Sequence, residues 1–352
     1  MKSRFFVKLA SLIAVLFVFA LLGSACVTIA SAPQAQGVPT AINAGANTIP
    51  TAAQPTAQPA APAAVTPTLN PNAPGSPPAA EGSVPDTDSS KFASEKRVVS
   101  GDSYQGNFFE RPFTAQSMDY LPDVDIINGY ISSDPNYYYF TIELHGVNTQ
   151  TGVMVASYGV ELDTDKDGRG DYSVWALNPT STTWATNDVT VRQDRNGDVG
   201  GKDANIADPT ISFGDGYETI LPNDGAQQSW ARIDPNSPNI VEIAVNRSMI
   251  GSPMEFLWGV WADNGPKNPG MFDYDDHISY HDAGSPISGN QYYPLKKVAA
   301  IDNTCRRTYG FSVSYRIANM CFSAPAPSPT GVPGPTPIPP CGCPPRPGCP
   351  PC

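Results

Sequence analysis

DIINGYISSDPNYYYFTIEL, Asp125 to Leu144, contains two runs of β-branched and aromatic residues, Ile126 to Ser132 and Tyr137 to Leu144, parted by Ser133-Asp134-Pro135-Asn136. Runs of this composition fit a pleated, half-buried surface, and Ser, Asp, Pro and Asn favour turns, so the stretch predicts a β-hairpin. The same signal recurs outward from it at Val153 to Leu162, Tyr172 to Leu177, Val189 to Gln193, Thr210 to Phe213, Ile240 to Val245, Glu255 to Ala262 and Tyr309 to Ile317. Helical periodicity is missing apart from one possible turn at Arg247 to Ile250. Many short strands punctuated by Gly, Pro, Asn and Asp predict an all-β fold over residues 100–322, a jelly-roll-like antiparallel β-sandwich.

Both ends differ from this middle. Lys2, Arg4 and Lys8 precede an apolar run, Leu9 to Leu22, that is short for a membrane-spanning helix and reads as a secretory signal. Its end, Leu22-Gly23-Ser24-Ala25-Cys26, resembles the lipobox of bacterial lipoproteins, which implies a signal peptide over residues 1–25 and a lipidated Cys26. Gly23 stands where that motif usually carries Leu or Val, which leaves ordinary signal-peptidase cleavage or an uncleaved anchor open. Residues 26–99 are rich in Ala, Pro, Thr and Gln, lack the apolar surface to offset ordering entropy, and predict a disordered stalk. Residues 323–352 repeat that composition and add Cys341, Cys343, Cys349 and Cys352. Outside the cytosol these four predict disulfides or inter-chain links, with a soft metal as the alternative. The expected location is the cell envelope, with a lipid-anchored domain facing the extracellular or periplasmic side.

Chemistry concentrates in ELDTDKDGRGDYSVW, Glu161 to Trp175. Asp163, Asp165, Asp167 and Gly168 match the start of an EF-hand-type loop, in which alternating carboxylates converge on a cation and Gly allows the sharp turn. The carbonyl of Arg169 and the carboxylate of Asp171 complete the expected ligand set, and the expected cofactor is Ca²⁺. Val174 occupies the place of the usual bidentate Glu, so the spacing implies a weaker, extracellular type of site. Arg169-Gly170-Asp171 also spells an adhesion tripeptide, but Asp171 is already committed to the cation. A second loop, Asp194 to Asp208, is calcium-like but irregular. His277 and His281, among Asp273, Asp275, Asp276 and Asp282, raise a zinc reading in a stretch hemmed in by Gly270, Gly284 and Pro286.

No nucleophile elbow, P-loop or dinucleotide fingerprint occurs, which favours a binding module over an enzyme. Trp175, Trp184, Trp230 and Trp261 are candidates for stacking on a sugar, with core packing as the competing use. Trp258 and Trp261 lie an odd number of residues apart, which predicts opposite faces and at most one of them in the core. Cys305 and Cys321 flank the last predicted strand and are expected to pair. A formal net charge of -12 argues against nucleic acid and anionic membrane surfaces as partners.

The order YYYFTIEL, VELDTD, VEIAVNRSMIG and FLWGVWAD resembles the DOMON-like jelly-roll sandwiches, a group that includes family 9 carbohydrate-binding modules. The resemblance implies a binding module for a glycan or a surface protein. The alternative is a secreted hydrolase or a haem-binding DOMON-type protein, with Met271, His277 and His145 as the conceivable axial ligands.

Overall fold

The hairpin forms where the turn residues permit it. In the computed structural model, β3 (Ile126–Ser133) and β4 (Tyr137–Leu144) pair antiparallel, with Ile131 opposite Phe140 and Gly129 opposite Ile142. The Asp134 carboxylate accepts from the N–H groups of Asn136 and Tyr137, both at 2.7 Å, which fixes the turn. The structure describes residues 72–98, 101–199, 216–264 and 279–321. All of them fall in the second of two units of the chain, Pro67–Cys352; the first, Met1–Thr66, lies outside the described residues.

The remaining strands are β1 (Gly82–Pro85), β2 (Glu110–Arg111), β5 (Ser157–Asp163), β6 (Tyr172–Ala176), β7 (Val189–Gln193), β8 (Thr219–Leu221), β9 (Trp230–Ile233), β10 (Ile240–Asn246), β11 (Phe256–Asp263), β12 (Ile301–Asn303) and β13 (Arg307–Tyr309). They form two antiparallel sheets. The first has the order β1-β3-β4-β10-β9; the second runs β2-β12-β11-β5-β6-β7-β8, with β13 also paired to β11. The fold is an all-β antiparallel sandwich. Phe140, Ile142 and Ile243 of the first sheet and Val160, Val174 and Trp258 of the second share one buried core. Period-two side-chain alternation sends these residues inward.

The outer faces are covered as well. Behind the second sheet, Trp175 and Trp261 are buried under Tyr104, Phe109, Tyr217, Val298 and Ile301. Trp258 and Trp261 therefore point to opposite faces as alternation requires, yet both are buried, which corrects the expectation that at most one would be. Behind the first sheet, Tyr137, Tyr139 and Trp230 pack with Ala73 and Trp184. The Asn72 carbonyl accepts from Tyr137 Oη at 2.7 Å, and the Gly75 carbonyl from Trp184 Nε1 at 2.9 Å. The segment ahead of β1 thus lies across that face, and β1 then pairs with β3.

These contacts correct the expected stalk boundary: chain assigned to the stalk up to residue 99 enters the fold from residue 72. At the other end the ladder strand is Arg307–Tyr309, so only Tyr309 of the expected strand Tyr309 to Ile317 is in it; the rest is a loop closed by the Cys305–Cys321 disulfide. The single turn at Arg247–Ile250 is a 3₁₀ turn capped by the Asn246 side chain. The expectations for the signal and Cys26, for Asp203, Asp208 and Thr210 to Phe213, for Met271 to His277, and for the tail cysteines lie outside the described residues.

Candidate metal centre

β5 delivers Asp163 at its last position, and β6 resumes at Tyr172, so the acidic run is a hairpin loop at one end of the second sheet. Asp163 is fully buried. Its Oδ1 accepts from the Lys166 N–H at 2.6 Å and its Oδ2 from the Gly168 N–H at 2.9 Å. Asp171 Oδ2 accepts from the Thr164 N–H and hydroxyl and from the Asp165 N–H, drawing the far end of the loop back over its start. Gly168 has φ +98°, and a Cβ there would sit 2.8 Å from Ala318 Cβ, so both backbone conformation and space require glycine.

The result brings one ligand atom each from Asp163, Asp165 and Asp171 within 4.8 Å of one another. Asp167 is not among them; its Oδ1 accepts from the Arg169 N–H at 2.7 Å, the turn that orients the Arg169 peptide. Burial pushes the Asp163 carboxyl up to about 7, against the opposing pull of Arg306 and the two N–H donors. Asp165 is also raised, by burial first and then by Asp171. An all-oxygen set of carboxylates with mutual repulsion fits a hard divalent cation.

Beneath the loop lies a network that local spacing does not reveal. Arg306 Nη1 donates to the Gly168 carbonyl at 2.6 Å and stands 3.9 Å from Asp163 Oδ2, while Nη2 lies 2.9 Å from Glu161 Oε1. Glu161 also accepts from Tyr217 Oη and from Trp261 Nε1, and both Glu161 and Arg306 are buried. A buried charge pair is retained only with such added hydrogen bonds. Arg306 follows Cys305 directly, so the disulfide-closed loop and the acidic loop are fastened together at this guanidinium. The sole sequence signal was the cysteine next to it.

The irregular second loop turns out to repeat the first. Asp194 Oδ1 accepts from Gly197 N–H at 2.8 Å and Oδ2 from Val199 N–H at 3.1 Å, the same third and fifth residues onward that Asp163 uses. The loops are joined by Asp194 N–H to the Asp171 carbonyl, 2.9 Å, and Gly170 N–H to the Val199 carbonyl, 3.3 Å. Burial pushes Asp194 up to about 7. In the histidine segment, His281 Nε2 lies 3.3 Å from Lys296 Nζ and Asp282 bonds the Ser279 hydroxyl, so neither converges on a metal set among the described residues.

The stacking candidates are corrected by burial. Trp175, Trp230 and Trp261 are core side chains. Trp184 is half-buried, with the Arg232 guanidinium 4.4 Å over its ring and its N–H given to Gly75. Among the described residues, sequence reading passed over two exposed aromatics, Tyr280 and, more exposed at 69%, Tyr315 on the disulfide-closed loop. The residues that follow Tyr315 in the chain, Arg316, Ile317 and Ala318, line a cleft of about 520 Å³ together with Phe108; Tyr315 is not among its lining residues. Comparison of the chain with protein-family models, curated proteins and solved structures found no match.

Proposed function

We propose that the folded part of this chain is a calcium-stabilised module that binds a glycan outside the cytoplasm, carried on a stalk from a lipidated Cys26. The observation that carries the reading is the disulfide-closed loop: it exposes the Tyr315 ring, its next residues Arg316, Ile317 and Ala318 line a largely apolar cleft, and it is locked by Cys305–Cys321 and fastened through Arg306 to the acidic loop. An exposed ring suits the apolar face of a sugar, and the neighbouring Arg316 could reach its hydroxyl rim. Calcium at Asp163, Asp165 and Asp171 would hold the supporting hairpin, so ligand binding depends on the ion without the ion touching the ligand. The DOMON-like resemblance is consistent with the two-sheet architecture and adds a precedent for sugar binding.

A glycan array with the full chain, in calcium and in chelator, tests this. Binding is expected in calcium, weakened by chelator, and reduced about tenfold by Tyr315→Ala, the loss of one aromatic contact worth on the order of 1.4 kcal/mol. An array without a hit, or a hit that Tyr315→Ala leaves unchanged, overturns the glycan reading and points to a surface protein.

A further inference from the structure

A second group of carboxylates lies away from the acidic loop, at the edge where both sheets end. Asp86 immediately follows β1, the edge strand of the first sheet; Glu110 and Asp302 face each other across β2 and β12, at the edge of the second. Ligand atoms of the three lie within 4.8 Å of one another. Like charges directly opposite in a ladder destabilise a sheet unless something neutralises them.

Nothing basic among their hydrogen-bond partners does so. Asp302 is fully buried; its Oδ2 accepts from the Ile126 N–H at 2.7 Å, and its Oδ1 has no hydrogen-bond partner. Asp86 Oδ1 accepts from the Thr87 N–H at 2.9 Å, and its Oδ2 is buried without a partner. Glu110 Oε1 accepts from the Ser89 hydroxyl at 2.7 Å. The nearest guanidinium, Arg111, turns the other way, to Asp102 and to the carbonyls of Ala283 and Val298. A further buried carboxylate, Asp125, adds to the repulsion on all three. Burial holds Asp86, Glu110 and Asp302 well above the ordinary carboxylate range. Buried carboxylate oxygens left unpaired destabilise the folded chain, and a cation would reverse that.

The group is also reachable. A cleft of about 360 Å³ opens onto Asp86 and Glu110 past Gly101 and Phe108. Gly101, at φ +98°, leaves room there: a Cβ would stand 3.3 Å from Glu110 Oε2. The donors are all oxygen, with no thiolate and no imidazole in the group, which selects a hard cation over zinc or copper.

The geometry points to a divalent-cation site of the calcium class, formed by Asp86, Glu110 and Asp302, that staples the two sheets together at their β1/β2 edge. It is independent of the hairpin loop. The test uses the full chain carrying Asp163→Asn and Asp165→Asn, which disables the loop, as the parent. After equilibration with calcium and desalting, metal analysis should find one equivalent more of calcium on the parent than on the same chain with Asp302→Asn or Glu110→Gln. Comparing the parent with the unmutated chain reports on the loop separately. Melting supplies the sign: in chelator Asp302→Asn should melt at or above the parent, having lost a repulsive charge, whereas in millimolar calcium the parent should melt higher. Equal calcium content in parent and variants, or a calcium shift in melting equal in all of them, overturns the proposal. So does failure of both variants to fold in chelator where the parent folds, because the carboxyls would then be protonated members of a hydrogen-bonded core.

Discussion

Asp163 carries most of the electrical strain in the acidic loop. Its carboxyl, raised from an ordinary 3.8 to about 7 by burial, binds a proton in the folded chain at pH values where the unfolded chain has lost it. Stability from that proton is fully present below about 3.8 and is lost as pH rises through about 7. Asp194, also raised to about 7, and Asp125, raised to about 6, act in the same direction. Calorimetry in chelator should therefore show the melting temperature falling between pH 5 and pH 8. In millimolar calcium the fall should shrink or vanish, since the ion replaces the proton. A melting temperature in chelator that rises over this range would contradict the assignment. Much of this site was legible in the sequence, because the Asp163, Asp165 and Asp171 spacing is local. Glu161, Arg306 and Tyr217 were not, because they meet only when β5 and the chain just before β13 and before β8 are brought together. The tryptophans misled for a related reason: alternation tells which face a ring takes, and only the whole fold tells what covers that face.

Strands that carry their own alternating run were readable. Tyr137–Leu144 and Val189–Gln193 have the expected bounds, and Ile240–Asn246 differs by one residue. The short strands Gly82–Pro85, Glu110–Arg111, Thr219–Leu221 and Ile301–Asn303 were not, since strands of so few residues are defined by their neighbours' hydrogen bonds, not by their own pattern. Gly159 shows how closely the elements fit. It lies between Trp175 and Trp261 on the adjacent strands, and a Cβ would come within 2.6 Å of the Trp175 ring. Gly159→Ala should destabilise the chain by about 1–3 kcal/mol, measured by urea unfolding, as overpacking of a filled core does. The loop between Cys305 and Cys321 depends on its bridge in a different way. Replacing both by Ser should cost about 3 kcal/mol from released chain entropy, again by urea unfolding, and should speed protease cutting near Tyr315. Non-reducing peptide maps that join either cysteine to the tail would refute the pairing.

For the whole molecule, the expected anchor is tested by metabolic labelling with a fatty-acid analogue. The unmutated chain should take up label and Cys26→Ser should not; equal labelling of both would remove the lipid from the scheme. The all-β class and its two layers were legible because most of the inward-facing residues sit in contiguous runs. The boundary at residue 72 was not, because NAPGSPPAAEG shares the stalk's composition and takes its place from what it lies against.

That crossing segment has a mechanical consequence. A pull arriving from the N-terminal side would meet residue 72 first, where the chain is pinned to Tyr137 and then to Trp184, and would next load Glu81, whose carboxylate accepts from Ser133 and Tyr309. Only after these points give way does force reach the β1–β3 ladder. The load path is shared between the layers: Tyr137 and Ser133 belong to the first sheet, whereas Trp184 lies between β6 and β7 of the second and Tyr309 ends its strand β13. The segment acts as a handle that spreads tension over both layers of the sandwich, and through the Glu81–Tyr309 bond part of it arrives at the strand ahead of Tyr315.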